Sequence, residues 1–142
     1  MTTKICYIDR VWYDVNHHDV CGDMGFSFED SAETRRPIDK LEDARKENID
    51  FINSDEAVEW GDVGDGKTED FAIYELRTAE VEYDEEDLDS NGNIYSLCSL
   101  PIVDDTDELV EVFVCATEEQ ASGIIDNYYE GTLWLKVNYR TI

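Results

Sequence analysis

ELVEVFVCATEEQASGIIDNYYEGTLWLKVNY, residues 108–139, reads as strand, helix and strand in succession. Over Glu108–Ala116, Val110, Val112 and Val114 alternate with Leu109, Glu111 and Phe113, the period-two pattern of a strand. Thr117-Glu118-Glu119-Gln120 follows, a hydroxyl residue and a glutamine three places apart that can satisfy each other's backbone donors at a helix start. Ala121, Ile124, Ile125 and Tyr128 then recur at i, i+3, i+4 and i+7, and Gly131 supplies the stop. Leu133, Leu135, Val137 and Tyr139 alternate in a closing strand.

The same two periods run through the preceding residues. Lys4–Val15, rich in Ile, Val, Tyr and Trp, predicts a first strand and Met24–Phe28 a short second one, with His17–Asp23 as the loop between them. Pro37–Asn53 sets Ile38, Leu41, Ala44, Ile49 and Ile52 near one helical face, with Thr34 as a start and Pro37 in the first turn. A Gly- and Asp-rich connection, Ser54–Asp70, leads into a strand at Phe71–Asp84. The turn Asp87–Asn93 and a strand at Ile94–Val103, weakened by Pro101, complete a hairpin. Two helices and about six strands without regular alternation predict one α+β domain over residues 1–142. Its sheet is expected to be mainly antiparallel, with both helices packed on one face. At 142 residues one domain is the default, and 42% hydrophobic with 11% aromatic residues is the composition of a chain that folds.

Charge excludes more than it identifies. Thirty-six Asp and Glu against eleven Lys and Arg give a net charge of −25, a field that repels nucleic acid and anionic membranes. No apolar run approaches a membrane span and the N-terminus lacks a secretory pattern. Scattered Cys6, Cys21, Cys98 and Cys115 fit reduced thiols better than a disulfide framework. The expectation is a cytoplasmic protein that binds neither nucleic acid nor membrane directly.

Three motifs carry possible chemistry. Gly61–Thr68 (GDVGDGKT) satisfies the phosphate-loop pattern and so resembles a nucleotide-binding P-loop, which requires a buried strand before it and a helix after it. Asp87, Asp89, Asn91 and Gly92 resemble the start of an EF-hand calcium loop, with Cys98 where its bidentate glutamate belongs; a hairpin turn explains the same residues. His17, His18 and Cys21 offer three soft-metal ligands without an evident fourth. No catalytic residues, metal site or cofactor is assigned, and Trp12, Trp60 and Trp134 are read first as core residues and second as partner anchors.

The charge peaks in residues 71–92, where eight carboxylates face Arg77 alone, a net −7. Glu80, Glu82, Asp84 and Glu86 recur at every second position, so on a strand they would share one face at roughly 6.6 Å spacing. Glu85, Asp87 and Asp89 extend the tract, and Asp104, Asp105, Asp107 and Glu108 form a second patch. Such a row costs stability through repulsion, and one offset to that cost is function. The compact acidic domain and this tract resemble the small DNA-mimic inhibitors of phages, of the anti-restriction and anti-CRISPR type. That resemblance implies a non-enzymatic inhibitor whose carboxylates occupy the basic groove of a host defence or nuclease protein. Two alternatives stay open: an immunity protein or antitoxin that neutralises a basic toxin, and a nucleotide- or metal-dependent enzyme built on Gly61–Thr68. A solvated surface serving only solubility is the fourth reading of the same charge.

Overall fold

A computed structural model describes residues 1–14, 19–23, 35–64, 70–130 and 134–142. Among the described residues six strands form one sheet: β1 (Thr2–Asp14), β2 (Asp19–Asp23), β3 (Arg36–Pro37), β4 (Phe71–Glu82), β5 (Glu108–Val114) and β6 (Lys136–Tyr139). The order is β2-β1-β4-β5-β6, with the two-residue β3 also laid against β1. Every pairing is antiparallel except β5 with β6. That exception follows from the connection, because two neighbouring strands joined through a helix can run the same way.

Three helices among the described residues accompany the sheet: α1 (Leu41–Ile52), α2 (Asp55–Glu59) and α3 (Glu118–Tyr128). The sequence predicts helices on one face, but they lie on both. Phe71 and Ile73 of β4 pack with Val112 and Val114 of β5 under Ala121 and Ile125 of α3. Ala72, Tyr74 and Leu76, pointing the opposite way, pack with Cys6, Ile8 and Phe113 under Ala44 and Ile52 of α1 and Ala57 of α2. The central strands are therefore buried on both sides, and Phe71–Leu76 is an unbroken buried run. Full burial of each large side chain in it stabilises the fold by about 1.5–3 kcal/mol.

The open end of the α3 face is closed by the 83–107 segment, where Leu100 joins Ile5, Ala79 and Val81, with Ile94, Leu97 and Ile102 against them. The strand expected at Ile94–Val103 is not there. Leu97–Ser99 is a turn of 3-10 helix, and only isolated bridges form, Ile94 opposite Leu88 and Ile102 opposite Val81. Arg35 explains the irregular path: its guanidinium donates to the Leu97 and Leu100 carbonyls at 2.9 Å each, and Pro101 has no N–H for a ladder.

Other boundaries moved for equally local reasons. Pro37 ends β3 and caps a 3-10 turn, Ile38–Lys40, so α1 begins at Leu41. The Ser54–Asp70 connection contains α2, started by the Ser54 hydroxyl accepting from Ala57 N at 3.4 Å. Asp19–Asp23, expected as loop, is β2, whereas Met24–Phe28, Thr34, Gly131 and Leu133 lie outside the described residues. Among the described residues no helix is long and apolar enough to cross a membrane.

The capping box of α3 forms as its sequence requires: Thr117 Oγ1 accepts from Gln120 N at 3.4 Å and Gln120 Oε1 accepts from Thr117 N at 2.9 Å. Thr117→Ala should therefore cost about 1 kcal/mol and lower the thermal midpoint by about 3 °C. An unchanged midpoint in calorimetry would show that α3 is held by its apolar face alone.

Candidate functional site

The described interior contains three carboxylates, and each meets an arginine. Asp62, fully buried, is bonded by Arg10 from β1 and by the Tyr74 hydroxyl. Glu75 accepts from Arg77 at 3.0 and 3.2 Å and from the Tyr129 hydroxyl at 2.6 Å. Glu111 accepts from Arg45 of α1 at 2.7 Å and from Asn138 at 2.6 Å. Burying a carboxylate is tolerable only with such partners, because an unpaired charge loses its hydration without return.

The remaining arginines are also engaged. Arg35 holds two backbone carbonyls, Arg36 pairs with Glu47, and Arg140 donates to Ile52 O at 2.9 Å and Ser54 O at 3.3 Å. All six arginines of the chain are thus half-buried and bonded within the fold. The four described lysines, Lys4, Lys40, Lys46 and Lys136, are exposed and make no ion pair.

This division leaves the outer surface mainly to carboxylates, with four exposed lysines among the described residues. Glu82, Asp84, Glu85 and Glu86 are exposed, as are Asp104, Asp105, Asp107 and Glu108, whereas Glu80, Asp87 and Asp89 are half-buried. The expected period-two row holds for Glu80 and Glu82 alone, since β4 ends at Glu82. Beyond it the aspartates bend the chain. Asp84 accepts from Glu86 N at 3.0 Å, Asp87 accepts from Asp84 N at 2.9 Å, and together they cap a 3-10 turn at Glu85–Asp87. Asp89 accepts from Asn91 N at 2.8 Å and Asn93 N at 3.0 Å, and Gly92 takes the positive φ of 83° that the turn needs. Short carboxyl side chains compete for nearby N–H groups, so an Asp-rich tract folds into turns more readily than it extends. Directly across from Glu80 stands Lys4, and across from Glu82 stands Thr2, so no like charge opposes either.

The two acidic patches, 18 residues apart in sequence between Glu86 and Asp104, adjoin in space. Val103 N donates to Glu80 O at 2.8 Å, Glu82 N donates to Pro101 O at 3.1 Å, and Glu80 N donates to Thr106 Oγ1 at 3.0 Å. Glu108 stands opposite Thr78, two places from Glu80. Asp107 differs from its neighbours, accepting from Tyr7 OH at 2.7 Å and Arg77 at 3.4 Å.

The other motifs fare differently. Asp62 of the P-loop-like string is buried against Arg10, α2 precedes the string, and β4 follows it, so the strand-loop-helix context that a phosphate loop requires is replaced by helix and strand. Lys67 and Thr68 lie outside the described residues. The EF-hand-like residues spend carboxylate oxygens on backbone N–H groups and lead into a bridge between Leu88 and Ile94, not into a helix. Among the described residues no three His, Cys, Asp or Glu converge as metal ligands; His17 and His18 fall outside them.

Sequence reasoning passed over a second acidic face. Asp39, Glu42, Asp43, Glu47, Asp50, Asp55, Glu56 and Glu59 are all exposed on the turn, α1 and α2. Trp60, 55% exposed and 5.1 Å from the Phe51 ring, sits beside them, and Trp134 is 69% exposed; neither is a core residue. Trp12 is half-buried with the Arg10 guanidinium 4.8 Å from its ring centre. Comparison with known proteins gives no match, whether by family model, by curated sequence or by solved structure.

Proposed function

We propose that this chain is a non-enzymatic inhibitor that occupies the basic nucleic-acid-binding groove of a host defence or nuclease protein in the cytoplasm, its carboxylates standing where phosphates would. The observation that carries this reading is the partition of cations. Every arginine is engaged in the fold, and among the described exposed carboxylates guanidinium groups answer only Glu42, Glu47 and Asp107, so most of the negative field at the surface is left unneutralised by them. Rigid like charges suit a groove built for a polyanion, and they accelerate the encounter with it at low salt.

The contacts are Glu82, Asp84, Glu85, Glu86, Asp104, Asp105 and Glu108, exposed along one adjoining surface. Glu80, Asp87 and Asp89 contribute charge from behind it, and exposed Asp107 contributes less because Arg77 is bonded to its carboxylate. The test is a variant carrying Glu82→Lys, Glu85→Lys, Glu86→Lys and Asp104→Lys, which moves the net charge from −25 to −17. A partner captured with the native chain should be displaced by duplex DNA, should be held more weakly as salt rises, and should bind the variant about a hundredfold less tightly. A partner that duplex DNA leaves in place, or that holds both chains equally, would overturn the reading.

A further inference from the structure

We propose that the cleft between the uncovered edge of β1 and the 83–97 segment receives a short extended segment of a partner protein. That segment continues the line of β3 along Thr2–Lys4, inserts one large aliphatic side chain, and carries Lys or Arg on both sides of it. This goes beyond the mimicry reading, since what is recognised is a strand and not a phosphate-binding groove.

The edge comes first. β3 covers β1 only at Ile5 and Cys6. Pro37 has no N–H to extend that ladder and the chain turns away at Ile38. Thr2–Lys4 therefore pair with β4 on one side and, among the described residues, with no strand on the other. A bare strand edge is a template for an added strand.

Beside that edge lies a cleft of about 470 Å³ whose apolar walls are Ile5, Pro37, Tyr83, Leu88, Ile94 and Leu97. Cavities of roughly 300–1,000 Å³ suit ligand-sized bodies. The far wall is fixed before any partner arrives. The Leu88–Ile94 bridge closes it, Asp89 gathers the N–H groups of Asn91 and Asn93, and Arg35 ties down the Leu97 and Leu100 carbonyls. Less ordering is then needed on binding.

Charge selects the occupant. Tyr83 lies between exposed Glu82 and Asp84, Leu88 lies between Asp87 and Asp89, and exposed Asp39 follows Pro37 by two residues. Among the described residues Lys4 is the cleft's only charged lining residue, and its register partner is Glu80. Carboxylates next in sequence to the apolar walls, on a chain of net charge −25, match a basic segment with an aliphatic centre. They reject a second copy of this chain, which brings a further −25.

The experiment is an amide chemical-shift titration of the full, isotope-labelled chain with the end-capped synthetic peptide Lys-Arg-Val-Leu-Val-Arg-Lys. Two control peptides accompany it, one methylated on the backbone nitrogens of its three central residues and one with all four basic residues replaced by Glu. Perturbations should be confined to Thr2–Ile5, Leu88 and Ile94–Leu97, and each control should bind at least tenfold more weakly. Equal binding of the methylated peptide would reduce the effect to charge alone and overturn strand addition. Shifts spread over the acidic surface, or none at millimolar peptide, would overturn the site. Because no nucleic-acid-binding protein enters this assay, its failure leaves the inhibitor reading to its own test.

Discussion

Arg10→Ala should destabilise the chain by about 3–5 kcal/mol, the cost of leaving a buried carboxylate without its cation. Asp62 is fully buried, and with Arg10 gone only the Tyr74 hydroxyl remains against it among its described bonds. The substitution also removes the stacking of the guanidinium on Trp12, 4.8 Å away. The companion variant Arg10→Met with Asp62→Leu exchanges the ion pair for apolar volume and should recover most of that loss, because desolvation of both charges disappears together. Denaturant unfolding with both variants is decisive: if the double variant is as unstable as Arg10→Ala, the site is sensitive to shape and not to charge.

The second large effect is expected in alkali. Burial pushes the Cys115 thiol up from 9.0 to about 12. Burial, aided by bonds to Asp62 and Glu75, raises the hydroxyls of Tyr74 and Tyr129 above their usual 10.0, and burial with the bond to Asp107 does the same for Tyr7. All four shifts have one sign. The folded state holds these protons more tightly than the unfolded chain, so their contribution is complete below about pH 9 and is lost as pH rises past the unfolded values. For Cys115 alone the loss by pH 12 is on the order of 4 kcal/mol. Circular dichroism should show cooperative unfolding between about pH 10 and 12, together with a late tyrosinate absorbance step. A single tyrosinate titration near pH 10 with the fold intact would contradict the burial of these groups.

The legibility of this fold in its sequence varied with how local the cause was. Thr117-Glu118-Glu119-Gln120 announced α3 because a capping box is a contact between residues three apart. β4 was legible as a strand, but its partners were not. Its near-continuous apolar run, Phe71–Leu76 broken by Glu75, is what a strand covered on both faces requires, and it pointed to helices on two sides. Glu75 and Glu111 inside apolar strands were likewise signs of buried ion pairs, with Arg77 and Arg45 as the answering cations. The 94–103 path depended on Arg35, 62 residues from Leu97, and nothing local to that segment announces such a contact. For the candidate surface, the acidic residues were visible and their geometry was not. Asp84, Asp87 and Asp89 were counted as charges in a row when their side chains serve the backbone as caps.

The separation of arginines from lysines bears on covalent modification. The four described lysines are exposed and carry no ion pair, so acylating them would break no electrostatic contact within the described structure. With all five lysines of the chain neutralised, the net charge would pass from −25 to −30. A lysine acyltransferase would thus act on this protein as an amplifier, strengthening the field that the arginines, bonded within the fold, leave uncovered.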